Sequence, residues 1–275
     1  GEVENDPFVP VRTTLLDNLR KENVASQIGL AEMFDASIGK SSVLMPFGGK
    51  YQLTESEGSV QKLPVFGFTN TCSILTHGFH PQIARFSPYL GASYSVVEAL
   101  ARVTAMGGDY RTCRLSNQEY FERLHDDPKK WGKPMQALLG LVDAQLAFET
   151  PSIGGKDSMS GTFNDLDVPP TLISFAIAPI QAGEVLSPEF KEAGHPVYLF
   201  AGDALAEHPL AAWDKLRELH KAGKVKSAWA VEHGFAEAVM NMSFGNKIGF
   251  AMGPDVDTNW YTPWPRSIVA ELTEE

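Results

Sequence analysis

Two cysteines in 275 residues, Cys72 and Cys113, are too few for a disulfide framework, and they show no C-x-x-C spacing. Both read as buried or half-buried thiols of a protein from a reducing compartment, so a cytoplasmic location is expected. Basic side chains are scarce too. Lys and Arg number 23 against 34 Asp and Glu, a net charge of -11, and the pI is about 5.1. That balance argues against a sequence-independent grip on nucleic acid or on an anionic membrane, so neither partner is expected. An anionic ligand would need a local cationic pocket or a metal. No apolar run reaches the roughly 18 residues of a membrane span, and no charged start followed by an apolar stretch marks a signal peptide. Several motifs are missing as well. The phosphate loop G-x-x-x-x-G-K-[ST] fails because Thr150 and Phe34 stand where its first glycine belongs, ahead of Gly155 and Gly39. There is no G-x-G-x-x-G after a strand, no zinc-ligand spacing and no G-x-S-x-G elbow.

What remains is 43% apolar content, enough for one large domain or two of ordinary size. The chain opens on Gly1, and its first twenty or so residues are polar, which reads as an excised piece of a longer polypeptide. Strands are predicted at 42–47, 62–68 and 70–79, with no helices between them. A helix is predicted over 92–108, ending at Gly107-Gly108. The spacing of Ser116 and Glu119 predicts a capping box and a second helix, and Pro134 lies near the start of a third over 133–148. A strand at 169–180 follows. Residues 181–196 mix glycine, proline and charge without periodicity and read as a boundary. Beyond it come a strand at 197–202, a helix near 206–222, a strand at 227–231, a helix at 234–244, and strands at 246–252 and 267–272. The expected architecture is α+β: an N-terminal segment over 1–27, a sheet-forming lobe over 28–185 and a smaller, incomplete α/β lobe over 195–275.

The stretch PSIGGKDSMSGTF at 151–163 sets two glycines beside a lysine, an aspartate and serines. As a glycine turn it would expose backbone N–H groups, and magnesium could join nearby carboxylates to phosphate oxygens. Three carboxylates lie near glycines: Asp157, Asp35 and Glu98. Each also has a plain reading. Asp35 and Asp157 could be capping or solvated groups, and Glu98 could make a helix-surface pair with Arg102 at i+4. His77 and His80 flank Gly78, as surface histidines or facing a nucleotide cleft; His195 and His220 read as structural. Gly48-Gly49-Lys50 reads as a hairpin that exposes a lysine.

Four segments, TPSIGGKDSMSGTF, MFDASIGKSSVLMPFGGKYQLT, SPYLGASYSVVEALARVTAMGGDYR and WGKPMQALLGLVDAQ, together resemble the second synthetase half of the phosphoribosylformylglycinamidine synthases. These belong to the aminoimidazole ribonucleotide synthetase superfamily, and the likeness extends in order to AGKVKSAWAVEHGFAEAVMNMSFGNKIGF in the second lobe. It implies a two-lobed fold whose first lobes pair through their sheets, with nucleotide where the paired lobes meet. It also implies an ATP-dependent C–N ligase of purine biosynthesis, which converts formylglycinamide ribonucleotide to the amidine with ammonia from glutamine. Carried over, Asp35, Glu98 and Asp157 resemble magnesium ligands, while Gly154, Gly155, Lys156, Ser158 and Ser160 resemble nucleotide contacts for ATP or ADP. The implied partners are the first synthetase repeat and a glutaminase domain or subunit, neither of which is in this chain. A homodimer is expected to replace the missing repeat, and the isolated chain is expected to be inactive. An alternative role is an auxiliary half that holds a nucleotide structurally. Two departures stand out. Arg102, which cannot ligate a cation, sits where the family often has a metal-binding asparagine, and His233-Gly234 replaces a glycine pair before a helix.

Overall fold

The computed structural model describes residues 14–22, 24–34, 36, 40–201, 210–253 and 266–273. In chain order they form α1 (Leu15–Leu19), α2 (Ile28–Ala31), β1 (Phe47–Gly48), β2 (Thr54–Glu55), β3 (Ser59–Lys62), β4 (Thr71–Gly78), α3 (Pro81–Phe86) and α4 (Pro88–Ala105). Then come β5 (Arg114–Tyr120), α5 (Pro128–Phe148), β6 (Ser152–Lys156), β7 (Thr162–Phe163), β8 (Leu166–Asp167), β9 (Thr171–Gln181), β10 (Val197–Phe200), α6 (Leu210–Lys221), β11 (Val225–Ala230), α7 (Phe235–Phe244) and β12 (Ile268–Leu272). The architecture is α+β, as expected. Among the described residues no helix is long and apolar enough to cross a membrane.

The first sheet runs β3-β4-β9-β5-β6. Its pairs are antiparallel except β5 with β6, which are parallel because α5 carries the chain back to the start of β5. On one face Cys72, Ile74, Leu115, Leu172, Ala176 and Ala178 pack with Val96, Leu100 and Val103 of α4 and Ala137 and Leu141 of α5. The other face is open, and it carries Leu75 and Ile177 largely exposed. Both helices start where local chemistry dictates. Ser87 accepts from Leu90 N (3.3 Å) ahead of Pro88, and Asp127 accepts from Lys129 N (2.9 Å) ahead of Pro128. Pro134 therefore lies inside α5, in its second turn, rather than near its start.

The second sheet, β10-β12-β11, is antiparallel throughout. Ala228, Ala230, Ile268 and Ala270 join the first lobe's core together with Trp213 of α6. Trp229, Val231 and Val269 instead pack with Val239 and Met242 of α7. One apolar core thus runs through both lobes. The connecting segment is fastened by the buried carboxylate of Glu271, which accepts from Lys191 N (2.7 Å), Glu192 N (3.0 Å) and Ser227 Oγ (2.8 Å) and meets His195 Nδ1 at 2.7 Å.

Four expected elements differ. The helix read from Ser116 and Glu119 is strand β5, in which Leu115, Asn117 and Glu119 point inward by period-two alternation. The strand expected over 62–68 ends at Lys62, since Pro64 has no N–H to donate and Gly67 turns at φ 95°. The strand expected over 246–252 does not form: Ile248 N bonds back to Ser243 O (3.2 Å) in closing α7, and Asn246 Nδ2 donates to Phe190 O (2.7 Å). Of 42–47, only Phe47 enters a strand, in the hairpin with β2. The start expected for the helix near 206 lies outside the described residues.

Candidate functional site

The stretch at 152–156 is an exposed edge strand and not the glycine turn that its composition suggested. Gly155 allows this. A Cβ there would stand 2.4 Å from Asn117 O, whereas a Cβ on Gly154 meets nothing within 4 Å. The chain turns only after Lys156. Ser158 N donates to Glu119 O (3.0 Å), Phe121 N to Ser158 O (2.9 Å), and the hydroxyls of Ser158 and Ser160 lie 3.2 Å apart. Lys156 Nζ reaches back to Asp157 O (3.2 Å). Lys156, Asp157, Ser158 and Ser160 therefore gather at one end of the β5–β6 pair, beside the free edge of β6.

Glu119 also belongs to this corner, and sequence reasoning missed it. Its carboxyl is buried, with Oε1 lacking a hydrogen-bond partner. Burial first, and then the Asp157 charge, push its pKa up to about 7. A neighbouring pair of acids, one with an unsatisfied buried oxygen, is a donor set that suits a hard divalent cation. The signal that could have found Glu119 is the register of β5, which the capping-box spacing hid.

Glu98 lies elsewhere. Gly78, Ser174, Asn117 and Gly155 form one row across β4, β9, β5 and β6, so the row's ends are three strand spacings, about 14 Å, apart. Gly78 lets α4 settle on its end of the row. A Cβ there would stand 2.0 Å from Ser95 O and 2.8 Å from Glu98 Cβ, which seats Glu98 over β4 and away from Asp157. Buried hydroxyls mark the row, with Ser95 Oγ 2.8 Å from Ser174 Oγ and Ser174 Oγ donating to Asn117 Oδ1 (2.9 Å). Asp35 lies outside the described residues. Among those described, no three His, Cys, Asp or Glu side chains converge as a metal cage.

The surface pair expected between Glu98 and Arg102 does not form. Glu98 is buried and neither of its oxygens has a hydrogen-bond partner. Arg102 Nη2 instead pairs with Glu232 of the second lobe, and Nη1 donates to His77 O (3.0 Å). The contact of Nη1 with His77 Nε2 (3.2 Å) requires that nitrogen to accept, and burial with the adjacent guanidinium holds the His77 pKa at about 4. His80 is not at the surface. It is fully buried, accepts from Ile83 N through Nδ1 (3.4 Å), stands 5.3 Å from the His233 ring, and is lowered to about 4 by burial and His233. At the His233-Gly234 loop, His233 N donates to Glu237 Oε2 (2.8 Å), so the chain's own carboxyl covers the start of α7. His220 is structural, with Nε2 2.8 Å from Glu184 O. Both cysteines are buried, as expected.

No protein-family model matches the chain. It is similar to the phosphoribosylformylglycinamidine synthase subunit PurL of Pyrobaculum aerophilum, at 24% identity over 195 residues, covering 70% of this chain and 26% of that protein. The Deinococcus radiodurans subunit is 24% identical over 153 residues, covering 56% of this chain and 19% of that protein. The chain thus spans about a quarter of the length of the curated relatives it matches. Among solved structures, Thermotoga maritima PurL complexed with ADP superposes with a TM-score of 0.67 at 14% identity, over 98% of this chain and 42% of that one. AaThiL complexed with AMPPCP and TMP gives 0.54 at 11% identity, over 95% and 88%. The chain has the two-lobed aminoimidazole ribonucleotide synthetase-like fold, and over most of its length it resembles part of the PurL subunit of phosphoribosylformylglycinamidine synthase.

Proposed function

We propose that this chain supplies a magnesium–nucleotide pocket to an enzyme that makes formylglycinamidine ribonucleotide from formylglycinamide ribonucleotide, ATP and glutamine-derived ammonia. The observation that carries the reading is the corner where edge strand β6 delivers Lys156, Asp157, Ser158 and Ser160 beside the buried Glu119. Lys156 would offset phosphate charge, the free edge of β6 at Gly154 and Gly155 would offer backbone donors, and the two serine hydroxyls would bond the remaining oxygens. Asp157 and Glu119, with Asp35, are the carboxylates proposed to hold magnesium, which would supply charge stabilisation for phosphoryl transfer. In the proposed reaction ATP phosphorylates the amide oxygen and ADP leaves; ammonia then adds at that carbon, and phosphate and a proton leave.

The reading is supported by likeness to PurL, whose Thermotoga maritima structures include complexes with ATP and with FGAR and a PurLQS assembly. The partners proposed are accordingly the first synthetase repeat and a glutaminase. The open sheet face around Leu75 and Ile177 is where that repeat, or a second copy of this chain, would pair. In a second reading, which rests on the duplicated architecture that the resemblance implies, the nucleotide is held permanently and turnover occurs at the related site of the other repeat. Asp157→Ala in the complete enzyme separates the two. Lost amidine formation supports a catalytic pocket, and steady formation supports a structural one.

ADP with magnesium should raise the Tm of the isolated chain. At a hundredfold excess over Kd, linkage gives about 2.7 kcal/mol, or roughly 5–10 °C for a domain of this size. Lys156→Met should abolish the shift. A folded parent chain that shows no shift would refute the pocket.

A further inference from the structure

Where the lobes meet, one cation is surrounded by acids. Arg102 lies near the end of α4. Its guanidinium pairs with Glu232 through Nη2 and holds the end of β4 through His77 O (3.0 Å), and its side chain is only 15% exposed. Around it stand Glu98 on its own helix, Glu57 on the chain between β2 and β3, and Glu237 in the first turn of α7. Glu57 makes a second tie between the lobes, since Oε1 accepts from Ala230 N (2.8 Å) while Oε2 is buried without a partner.

We infer that the Arg102 guanidinium is the resident cation of this junction, fills the charge role a divalent ion would have at Glu98, and clamps the lobes so that the Glu98 end holds no divalent metal. The resemblance places a magnesium ligand at Glu98, and the residues present do not fit one. A guanidinium carries only donors, so it contributes no ligand and repels an incoming cation. Among the described residues no metal cage forms here. Burial acts to raise the Glu232 carboxyl, and Arg102, with His233, His80 and His77 beside it, holds it at about 2 all the same.

The inference does not depend on the nucleotide reading, because it concerns the other end of the row from Asp157. Its test is the number of Mn2+ ions bound per chain, counted by electron paramagnetic resonance without nucleotide. The parent and Glu98→Gln should bind the same number. Arg102→Asn removes the guanidinium and offers a carbonyl oxygen beside Glu98 and Glu232, a hard-cation set. It should bind one ion more, and Arg102→Asn combined with Glu98→Gln should lose that ion again. A Mn2+ lost from the parent on Glu98→Gln would overturn the inference, as would a folded Arg102→Asn that gains none. If Arg102→Asn does not fold, the parent against Glu98→Gln decides alone. Failure of the nucleotide pocket shows separately, as absent ADP binding that leaves this comparison unchanged.

Discussion

Gly155 and Gly154 are neighbours in sequence and opposites in packing, and substituting each by alanine turns that contrast into a measurement. At Gly155 the new Cβ would stand 2.4 Å from Asn117 O, where about 3.4 Å is an ordinary contact, so β6 must move about 1 Å away from β5. The obstacle is backbone in the middle of the sheet, and no flexible side-chain end can yield instead. Overpacking of that kind costs about 1–3 kcal/mol, a fall in Tm of roughly 2–10 °C for a domain of this size. The same movement displaces Lys156 and Asp157, so magnesium-dependent ADP binding should weaken along with stability. At Gly154 the Cβ enters open space and the backbone is extended. Alanine there should be neutral or stabilise by about 0.4–1 kcal/mol, through the lower entropy of the unfolded chain. Thermal unfolding and ADP titration of both variants provide the assay. A Gly155→Ala protein as stable as its parent, or a Gly154→Ala protein that loses as much as Gly155→Ala, would refute the placement of β6 as an edge strand pressed on Asn117.

Other consequences can be checked independently. Glu119, raised to about 7, binds its proton more tightly folded than unfolded. The stability it contributes is complete below its unfolded pKa, near 4.5, and disappears as the pH rises through 7. Glu119→Gln should therefore gain on the parent between pH 5 and pH 8 in metal-free urea unfolding, and an unchanged difference would contradict the burial assigned to it. Trp213 is fully buried, donates Nε1–H to Arg266 O (3.0 Å) and stacks 5.7 Å from Phe148. Trp213→Ala should cost about 3–5 kcal/mol in chemical unfolding, and a loss below about 1 kcal/mol would argue against one core running through both lobes. The open sheet face predicts a dimer by light scattering at tens of micromolar that Ile177→Lys dissociates; a monomeric parent would contradict that pairing.

Where the sequence was legible, apolar side chains fell at the spacing of one element. Val96, Val97, Leu100 and Val103 made α4 plain, and the long apolar run of β9 did the same for its strand. β5 was hidden because two of its inward positions, Asn117 and Glu119, are polar. They face Ser174, Ser152 and the Asp157 corner, so an alternation that is clear in burial has no counterpart in hydropathy. The capping-box spacing of Ser116 and Glu119 then supplied a false helix signal. Much the same happened at the site. Lys156, Asp157, Ser158 and Ser160 could be singled out because they are consecutive or nearly so. Glu119 reaches Asp157 only through strand register, and Arg102 reaches Glu232 only because the lobes dock, 130 positions apart in the chain. An i+4 neighbour was the obvious partner for Arg102, and burial of Glu98 over Gly78 is what denied it.

The most direct test of the proposed pocket is calorimetric titration of the chain with ADP, with and without magnesium, and of Asp157→Ala alongside. The proposal predicts binding that requires magnesium and is lost in the variant while its circular dichroism stays unchanged. A folded parent that binds no ADP, or a variant that binds it as tightly as the parent does, would contradict a magnesium–nucleotide site at the end of β6.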